Sequence, residues 1–217
     1  MKTAIIADGE WDFSWGRVEL RKKKIDMLIC ADGGANLAIQ SGILPNVLIG
    51  DLDSITKEHL RQCQENDVKI IQYPVEKDET DLALAVGFAD DFLKENGRDD
   101  DEILLYAAGG KRLDHLFGNI AIMLGAAQNN RRIIMMDKGF RAWIMIPGKE
   151  TITGVADQQI SIIPLSEKAE VCSRGLYYEL NNLVLCQNNA RGISNVFVQT
   201  EAQLEVLWGN VLIVILS

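Results

Sequence analysis

Six short apolar runs recur through the first two thirds of the chain, at residues 3–7, 27–31, 46–49, 68–73, 102–108 and 133–137. None alternates cleanly with polar residues, as a strand with one wet face would, so each predicts a strand covered on both faces. Helix signals lie between them. Residues 35–41 predict a short helix closed at Gly42, and Ser54 is placed to cap a helix over 57–65. Thr80 or Asp81 can cap a longer helix that reaches Asn96-Gly97, and residues 114–128 give another. Strands and helices in this order predict a doubly wound, mostly parallel α/β sheet with helices on both faces.

The pattern changes after Pro147-Gly148. Residues 160–164, 177–180, 183–186, 196–200, 204–208 and 211–216 read as short strands punctuated by Gly, Asn and Ser. Gly209-Asn210 predicts a two-residue hairpin turn between the last two. The expected organisation is an α/β domain over residues 1–148 and a small all-β sandwich or jelly-roll over 149–217.

Composition narrows the function classes. The chain has 217 residues, 47% of them hydrophobic, which is enough to bury a core in one large domain or two smaller ones. Its net charge of −9 argues against gripping nucleic acid through a basic face. The run Arg21-Lys22-Lys23-Lys24 reads as a solvated helix face or turn, and Asp99-Asp100-Asp101-Glu102 as a solvated turn before a strand. The four cysteines lie far apart with no CxxC pair, so neither a disulfide framework nor a zinc site is indicated. The apolar stretch after Met1-Lys2 is too short for a signal peptide. The longest apolar run, residues 211–216, is far below the roughly 20 residues of a membrane span. A soluble, cytoplasmic protein is expected, with no nucleic-acid or membrane partner.

In an open parallel sheet, ligands bind beyond the carboxyl ends of the strands. Four such exits carry aspartate, three of them with glycine: Asp32-Gly33-Gly34-Ala35-Asn36, Gly50-Asp51-Leu52-Asp53-Ser54, Lys77-Asp78-Glu79-Thr80-Asp81, and Gly109-Gly110-Lys111-Arg112-Leu113-Asp114-His115. Any one of them alone reads as a helix cap and a turn. Together they predict crowded carboxylates, which repel one another unless a cation neutralises them. Oxygen-only ligands favour Mg²⁺, which keeps waters and bridges to phosphate oxygens. The glycines let backbone N–H groups approach phosphate, and Lys77 and Arg112 bring positive charge. A metal and polyphosphate site is the reading of the residues themselves. A glycosyltransferase using Asp51 and Asp53 as a DxD motif, a metal-dependent phosphatase, and a non-catalytic nucleotide-binding module remain as alternatives.

These motifs, in this order, resemble those of the thiamine pyrophosphokinase family. Gly175-Leu176-x-Tyr178-x-Leu180 and Ser194-Asn195 resemble that family's thiamine-binding β-domain. The resemblance implies that the thiamine hydroxyl attacks the β-phosphorus of ATP, giving thiamine diphosphate and AMP, in a homodimer with the thiamine site at the subunit interface. It implies Asp51, Asp53 and Asp81 as Mg²⁺ ligands, and Arg112 and Asp114 as further catalytic residues, Asp114 orienting the acceptor hydroxyl or taking its proton. Asp32, Gly33, Gly34, Asn36, Lys77, Asp78, Thr80 and His115 fall on the ATP side, and Tyr178, Ser194 and Asn195 on the thiamine side. The chain departs from the family pattern at Tyr178, where tryptophan is common, and in the Trp11 and Trp15 pair near its start. Tyr178 is expected to stack on the acceptor, with Tyr177 on the opposite face of a strand.

Overall fold

The computed structural model describes residues 2–110 and 112–217, and the chain packs as two compact units, Met1–Lys138 and Gly139–Ser217. Residues 139–148, expected to close the first domain, pair in the second unit.

The first unit alternates strand and helix: β1 Thr3–Ile6, α1 Phe13–Lys23, β2 Met27–Ala31, α2 Gly34–Gln40, β3 Val47–Gly50, α3 Lys57–Glu65, β4 Lys69–Gln72, α4 Asp81–Glu95, β5 Ile103–Tyr106, α5 Leu113–Gln128 and β6 Ile133–Met136. The strands run parallel in the order β6-β5-β1-β2-β3-β4. Sequential strands lie on one side of β1 and β5 lies on the other, so the order reverses between β1 and β5.

The apolar runs lack alternation because both faces are covered. On one face Ala4, Ile6, Leu28, Cys30, Leu48, Leu104 and Tyr106 share a core with Leu20 of α1, Ala35 and Ala38 of α2, and Cys63 of α3. Their alternates Ile5, Ile29, Ile49 and Leu105 are 1% exposed or less and face the side on which α4 packs over β1, β2 and β3. Burying one such isoleucine contributes about 1.5–3 kcal/mol, so the central strands are the stable heart of the unit. At the other end of the sheet, buried Arg131 ion-pairs with Asp90 of α4 at 2.5 Å. It also donates to the carbonyls of Arg98, Asp99 and Asp101, holding the turn that leads into β5.

Helix α1 lacks a clear apolar stripe and buries only Gly16 and Leu20. Its start is fixed by Asp12, whose carboxylate accepts from the Trp15 amide, and the basic run continues past its last turn to a left-handed Lys24. Trp11 and Trp15 pack edge-on with each other and against Tyr106, with ring centroids about 6 Å apart, so this pair is structural. Thr56, rather than Ser54, caps α3 by accepting from the His59 amide. From the same turn His59 reaches back to α2, its Nδ1 2.7 Å from Asn36 Oδ1.

The second unit is antiparallel: β7 Phe140–Met145, β8 Gly148–Thr153, β9 Gln159–Pro164, β10 Lys168–Arg174, β11 Leu183–Cys186, β12 Asn195–Val196, β13 Glu201–Trp208 and β14 Val211–Leu216. One sheet takes the order β12-β9-β14-β7 and the other β11-β10-β13-β8. Buried Ile160, Ile162, Val211, Ile213 and Ile215 of the first face buried Ile152, Ala169, Val171, Leu204 and Val206 of the second, which makes a sandwich. The expected hairpin at Gly209-Asn210 is instead a crossing between sheets, because β13 pairs with β8 and β10 while β14 pairs with β7 and β9. The turn bonds to Leu165 and Ser166 rather than closing on itself. Residues 177–180 form a loop, and of 196–200 only Val196 joins a regular strand. Trp208 is 42% exposed and donates from its ring to Glu170, so it is a rim residue and not a core aromatic. Among the described residues no helix is long and apolar enough to cross a membrane.

Candidate active site

The reversal of strand order between β1 and β5 opens the crevice in which open α/β sheets hold ligands. Beyond the strand ends the two segments stay together: the Gly9 amide donates to the Ala107 carbonyl at 2.7 Å. A Cβ on Gly9 would sit 2.2 Å from that oxygen, so only glycine permits the approach. The result is a cleft of about 840 Å³ lined by Asp8, Gly9, Asp32, Ser54, residues 77–81, Gly109, Gly110, Arg112, Asp114, His115 and Asn119. Asp32, Leu52 and Ala107 take left-handed backbone angles of 41°, 67° and 51°. Such strain at three strand exits is the mark of a site held in shape by its surroundings.

Adjacent pairing of β2 and β3 brings their exits together. Asp32, Asp51 and Asp53 offer carboxylate oxygens within 4.8 Å of one another. Asp32 is 5% exposed; its Oδ2 accepts from the Ser54 amide at 3.1 Å, while its Oδ1 is buried without a hydrogen-bond partner. Burial pushes the Asp32 carboxyl above the usual carboxylate range, against the pull of its bonds from Ser54, and the charges of Asp81 and Asp51 add to the rise. Asp53 accepts from Ser54 Oγ at 2.8 Å.

Asp81, in the first turn of α4, leans over Gly50, where a Cβ would lie 3.2 Å from its carboxyl carbon. Lys77 joins the two sides, with Nζ 3.1 Å from Asp51 Oδ2 and 3.1 Å from Asp81 Oδ1. The Lys77 hydrogen bond holds Asp51 below its ordinary value. Burial works to lower the Lys77 ammonium, and its bonds with Asp51 and Asp81 together outweigh that, leaving it raised. Oxygen-only donors, an orphaned buried carboxylate oxygen and an ammonium drawn between two carboxylates all fit a hard divalent cation.

The other expected residues divide. Thr80 caps α4 by accepting from the Ala83 amide, and Asp78 and His115 line the cleft. Gly33 and Gly34 let α2 press against the exit of β1, for a Cβ on Gly33 would strike the Asp8 carboxylate and one on Gly34 the Ile6 carbonyl. Asn36 does not turn into the cleft: its amide donates to the Ser54 carbonyl and its Oδ1 accepts from the Thr56 amide, bracing α2 against the loop after β3. Arg112 and Asp114 make a two-bond fork at 3.2 and 2.6 Å, and the guanidinium draws the Asp114 carboxyl down to about 2. Lys111 of the same motif lies outside the described residues. Asp8, Gly9 and Asn119 are not among the expected residues, although Asp8-Gly9 follows an apolar run as the other exits do. Asn119, which donates to the Ala108 carbonyl at 2.7 Å, carries no such signal.

The second unit has its own pocket of about 670 Å³, lined by Tyr177, Tyr178, Arg191, Ile193 and Asn195 among others. Tyr177 and Tyr178 do not face opposite ways. Their rings meet edge to face at 4.9 Å, both well exposed, because the segment is a loop and strand alternation does not apply. Asn195 is 5% exposed and clamps that loop: Oδ1 accepts from the Tyr178 amide at 3.0 Å, and Nδ2 donates to the Tyr178 carbonyl at 2.7 Å. Ser194 is exposed with a left-handed backbone, its amide donating to Ser161 Oγ.

A doubly wound unit with carboxylates gathered at its switch point, followed by a β-sandwich with a pocket of its own, defines a two-domain transferase. Residues 18–135 match the catalytic domain of thiamin pyrophosphokinase, and residues 149–209 its vitamin B1 binding domain. The chain belongs to the thiamin pyrophosphokinase family. Thiamine pyrophosphokinase of Bacillus subtilis is 31% identical over 86% of this chain and 85% of its own, and thiamine pyrophosphokinase 1 of Oryza sativa is 25% identical over 89% and 79%. The crystal structure of the Bacillus subtilis enzyme superposes with a TM-score of 0.83 at 26% identity, covering 99% of this chain and 98% of that one. The Candida albicans enzyme shares the fold at 17% identity, with a TM-score of 0.83 over 99% and 89%.

Proposed function

We propose that the protein transfers the diphosphoryl group of ATP to the hydroxyl of thiamine, giving thiamine diphosphate and AMP. The observation that carries this reading is the match of both units, each to the corresponding domain of the family, with the acidic cluster falling inside the catalytic one. A nucleotide-sugar glycosyltransferase would account for Asp51 and Asp53 but for neither the second unit nor its pocket.

In this reading Asp32, Asp51, Asp53 and Asp81 hold Mg²⁺, which when bound would neutralise charge between the carboxylates and the phosphate oxygens. Asp32 is added to the ligand set because its buried Oδ1 is otherwise uncompensated. The backbone of Gly9, Gly109 and Gly110 cradles the nucleotide at the switch point, and Lys77 and Arg112 engage its phosphates. Phosphoryl-type transfer asks little covalent work of a protein, so positioning and charge neutralisation dominate. Asp114, drawn down to about 2 by Arg112, is ionised at every working pH, and its role is to orient the acceptor hydroxyl rather than to draw its proton strongly. Tyr177 and Tyr178 offer aromatic faces to the thiazolium or pyrimidine of thiamine. The proposal extends to a cytoplasmic homodimer with the thiamine site at the subunit interface. The exposed Leu113 and Phe117, one turn apart on α5, are consistent with a covered helix face.

Incubation with ATP, Mg²⁺ and thiamine should yield AMP and thiamine diphosphate in equal amounts. Asp53→Asn should lower turnover by more than about a hundredfold, a loss of ~3 kcal/mol of transition-state stabilisation, with an unchanged circular dichroism spectrum. Production of ADP or free phosphate without thiamine diphosphate would overturn the reading.

A further inference from the structure

Lys77 sits on the segment between β4 and α4, outside any helix or strand. Its side chain is 14% exposed; its ammonium donates to Asp51 Oδ2 at 3.1 Å and to the Pro74 carbonyl at 3.3 Å, and it ion-pairs with Asp81 Oδ1 at 3.1 Å. The two carboxylates it joins come from different parts of the sheet edge, the exit of β3 and the first turn of α4. An ammonium and a hard divalent cation therefore contend for the same oxygens. An ammonium displaced into a half-buried acidic cleft needs another anion, and the phosphates of a nucleotide are the anion such a cleft admits.

We propose that Lys77 is a resident counter-cation, holding Asp51 and Asp81 together in the free protein and passing to the nucleotide phosphates as the divalent cation takes those oxygens. The cation and the nucleotide then bind as a coupled pair, each favouring the other by the same factor. The proposal rests on the reading that these carboxylates hold a divalent cation. Its consequence is weaker cation binding to the free protein than the clustered carboxylates alone would give, because Lys77 already occupies an oxygen of Asp51 and one of Asp81. Lys77 can do this without unfolding anything: Tyr73 bonds back to Gly50 and Thr80 caps α4, and between them no backbone amide of residues 75–79 is engaged among the described residues. Arg112 serves as the comparison, being a cleft cation that pairs with Asp114 instead.

The test is Mn²⁺ binding to the full chain, followed by electron paramagnetic resonance of the free ion, with and without α,β-methylene ATP, whose bridging carbon resists the transfer. Wild type should bind Mn²⁺ weakly alone and about tenfold or more tightly with the analogue, a coupling of ordinary size. Lys77→Met should bind Mn²⁺ alone about tenfold more tightly than wild type and lose most of the coupling. Arg112→Met, with the same change of charge, should leave the Mn²⁺ affinity of the nucleotide-free protein near the wild-type value, because Arg112 pairs with Asp114 and not with the cation's oxygens. If the methionine variant fails to fold, Lys77→Gln carries the same expectation. Equal gains in the Lys77 and Arg112 variants would reduce the effect to net charge and overturn the proposal. So would unchanged affinity in Lys77→Met with binding that Asp53→Asn still abolishes, an outcome that leaves the cation reading standing. Absence of Mn²⁺ binding in every variant, with and without the analogue, would remove the cation reading and this proposal together.

Discussion

Asn195 offers the sharpest separation between touching a ligand and holding the residue that does. Its side chain accepts from the amides of Tyr178 and Val196 and donates to the Tyr178 carbonyl, at 3.0, 2.9 and 2.7 Å. In effect the side-chain amide supplies Tyr178 with the partner that a neighbouring strand gives Tyr177, whose own amide donates to the Val196 carbonyl. Asn195→Ala would leave these groups without protein partners in a position that is 5% exposed. A net 0.5–1.5 kcal/mol for each bond gives about 2–4 kcal/mol, and the exposed Tyr178 lets water recover part of it, so ~2 kcal/mol is the expected cost of holding the loop. That corresponds to about a thirtyfold fall in hydrogen-exchange protection at the Tyr178 amide, read by mass spectrometry or NMR on the free protein. The thiamine KM should rise in parallel while the ATP KM stays put. Asn195→Asp keeps both acceptors but sets an oxygen against the Tyr178 carbonyl, so it should not rescue the loop. A raised thiamine KM with unchanged protection at Tyr178 would refute the clamp and return Asn195 to direct contact.

Further outcomes follow from single contacts. Asp32→Asn should raise the melting temperature of the ligand-free protein at pH 7. The folded carboxyl is raised by burial, so ionising it costs stability that is absent below the ordinary carboxylate range and grows as pH rises through it. The two melting temperatures should therefore converge near pH 3, and a lower value for the variant at pH 7 would contradict the burial argument. Arg131→Met leaves Asp90 to Lys94 alone and takes the donor from three carbonyls at the far end of the sheet. It should cost about 2–4 kcal/mol, the net worth of the bonds lost, in urea unfolding of the first unit without changing either KM, and a change in KM with intact stability would refute that role. Tyr177→Ala and Tyr178→Ala should each weaken thiamine binding, by about tenfold where a cation–π contact of 1–2 kcal/mol is lost; an effect from one alone would mean the other ring only supports its neighbour.

The features legible in the sequence are the ones written locally. Apolar runs ending in Asp and Gly mark strand exits whether or not the sheet order is known, and that signal finds Asp32, Asp51 and Asp53, while Asp81 is found as the start of a capped helix. Helix α1 escapes notice because Phe13–Lys23 has no stripe to detect; its helix depends on the Asp12 cap and on Gly16 lying flat against the Trp11 ring. The hairpin signal at Gly209-Asn210 misleads for the opposite reason. The turn is real, but the flanking strands find partners dozens of residues away, and strand pairing is decided by those partners. Tyr177 and Tyr178 mislead because alternation belongs to strands, and a loop held by Asn195, Val196 and Ser173 has no faces to alternate between.

Grouping within the site is the least legible layer, and the reason lies in topology. Asp51 and Asp53 are two residues apart, and any reading would pair them. Asp32 joins them because β2 lies beside β3, which sets a residue from an earlier strand exit into the same oxygen cluster. Asp8-Gly9 matters because β5, the fifth strand in sequence, lies beside the first, a fact that no spacing encodes. Lys77 shows the same thing from the side of charge. In the sequence it is one cation beside Asp78 and Glu79, whereas in the fold its ammonium reaches back to Asp51 and forward to Asp81 and passes over its immediate neighbours. Local signals therefore name the chemical groups, and the order of strands decides which of them share a cation. The register of β2 against β3 should accordingly govern cation binding as strongly as the identity of any single carboxylate.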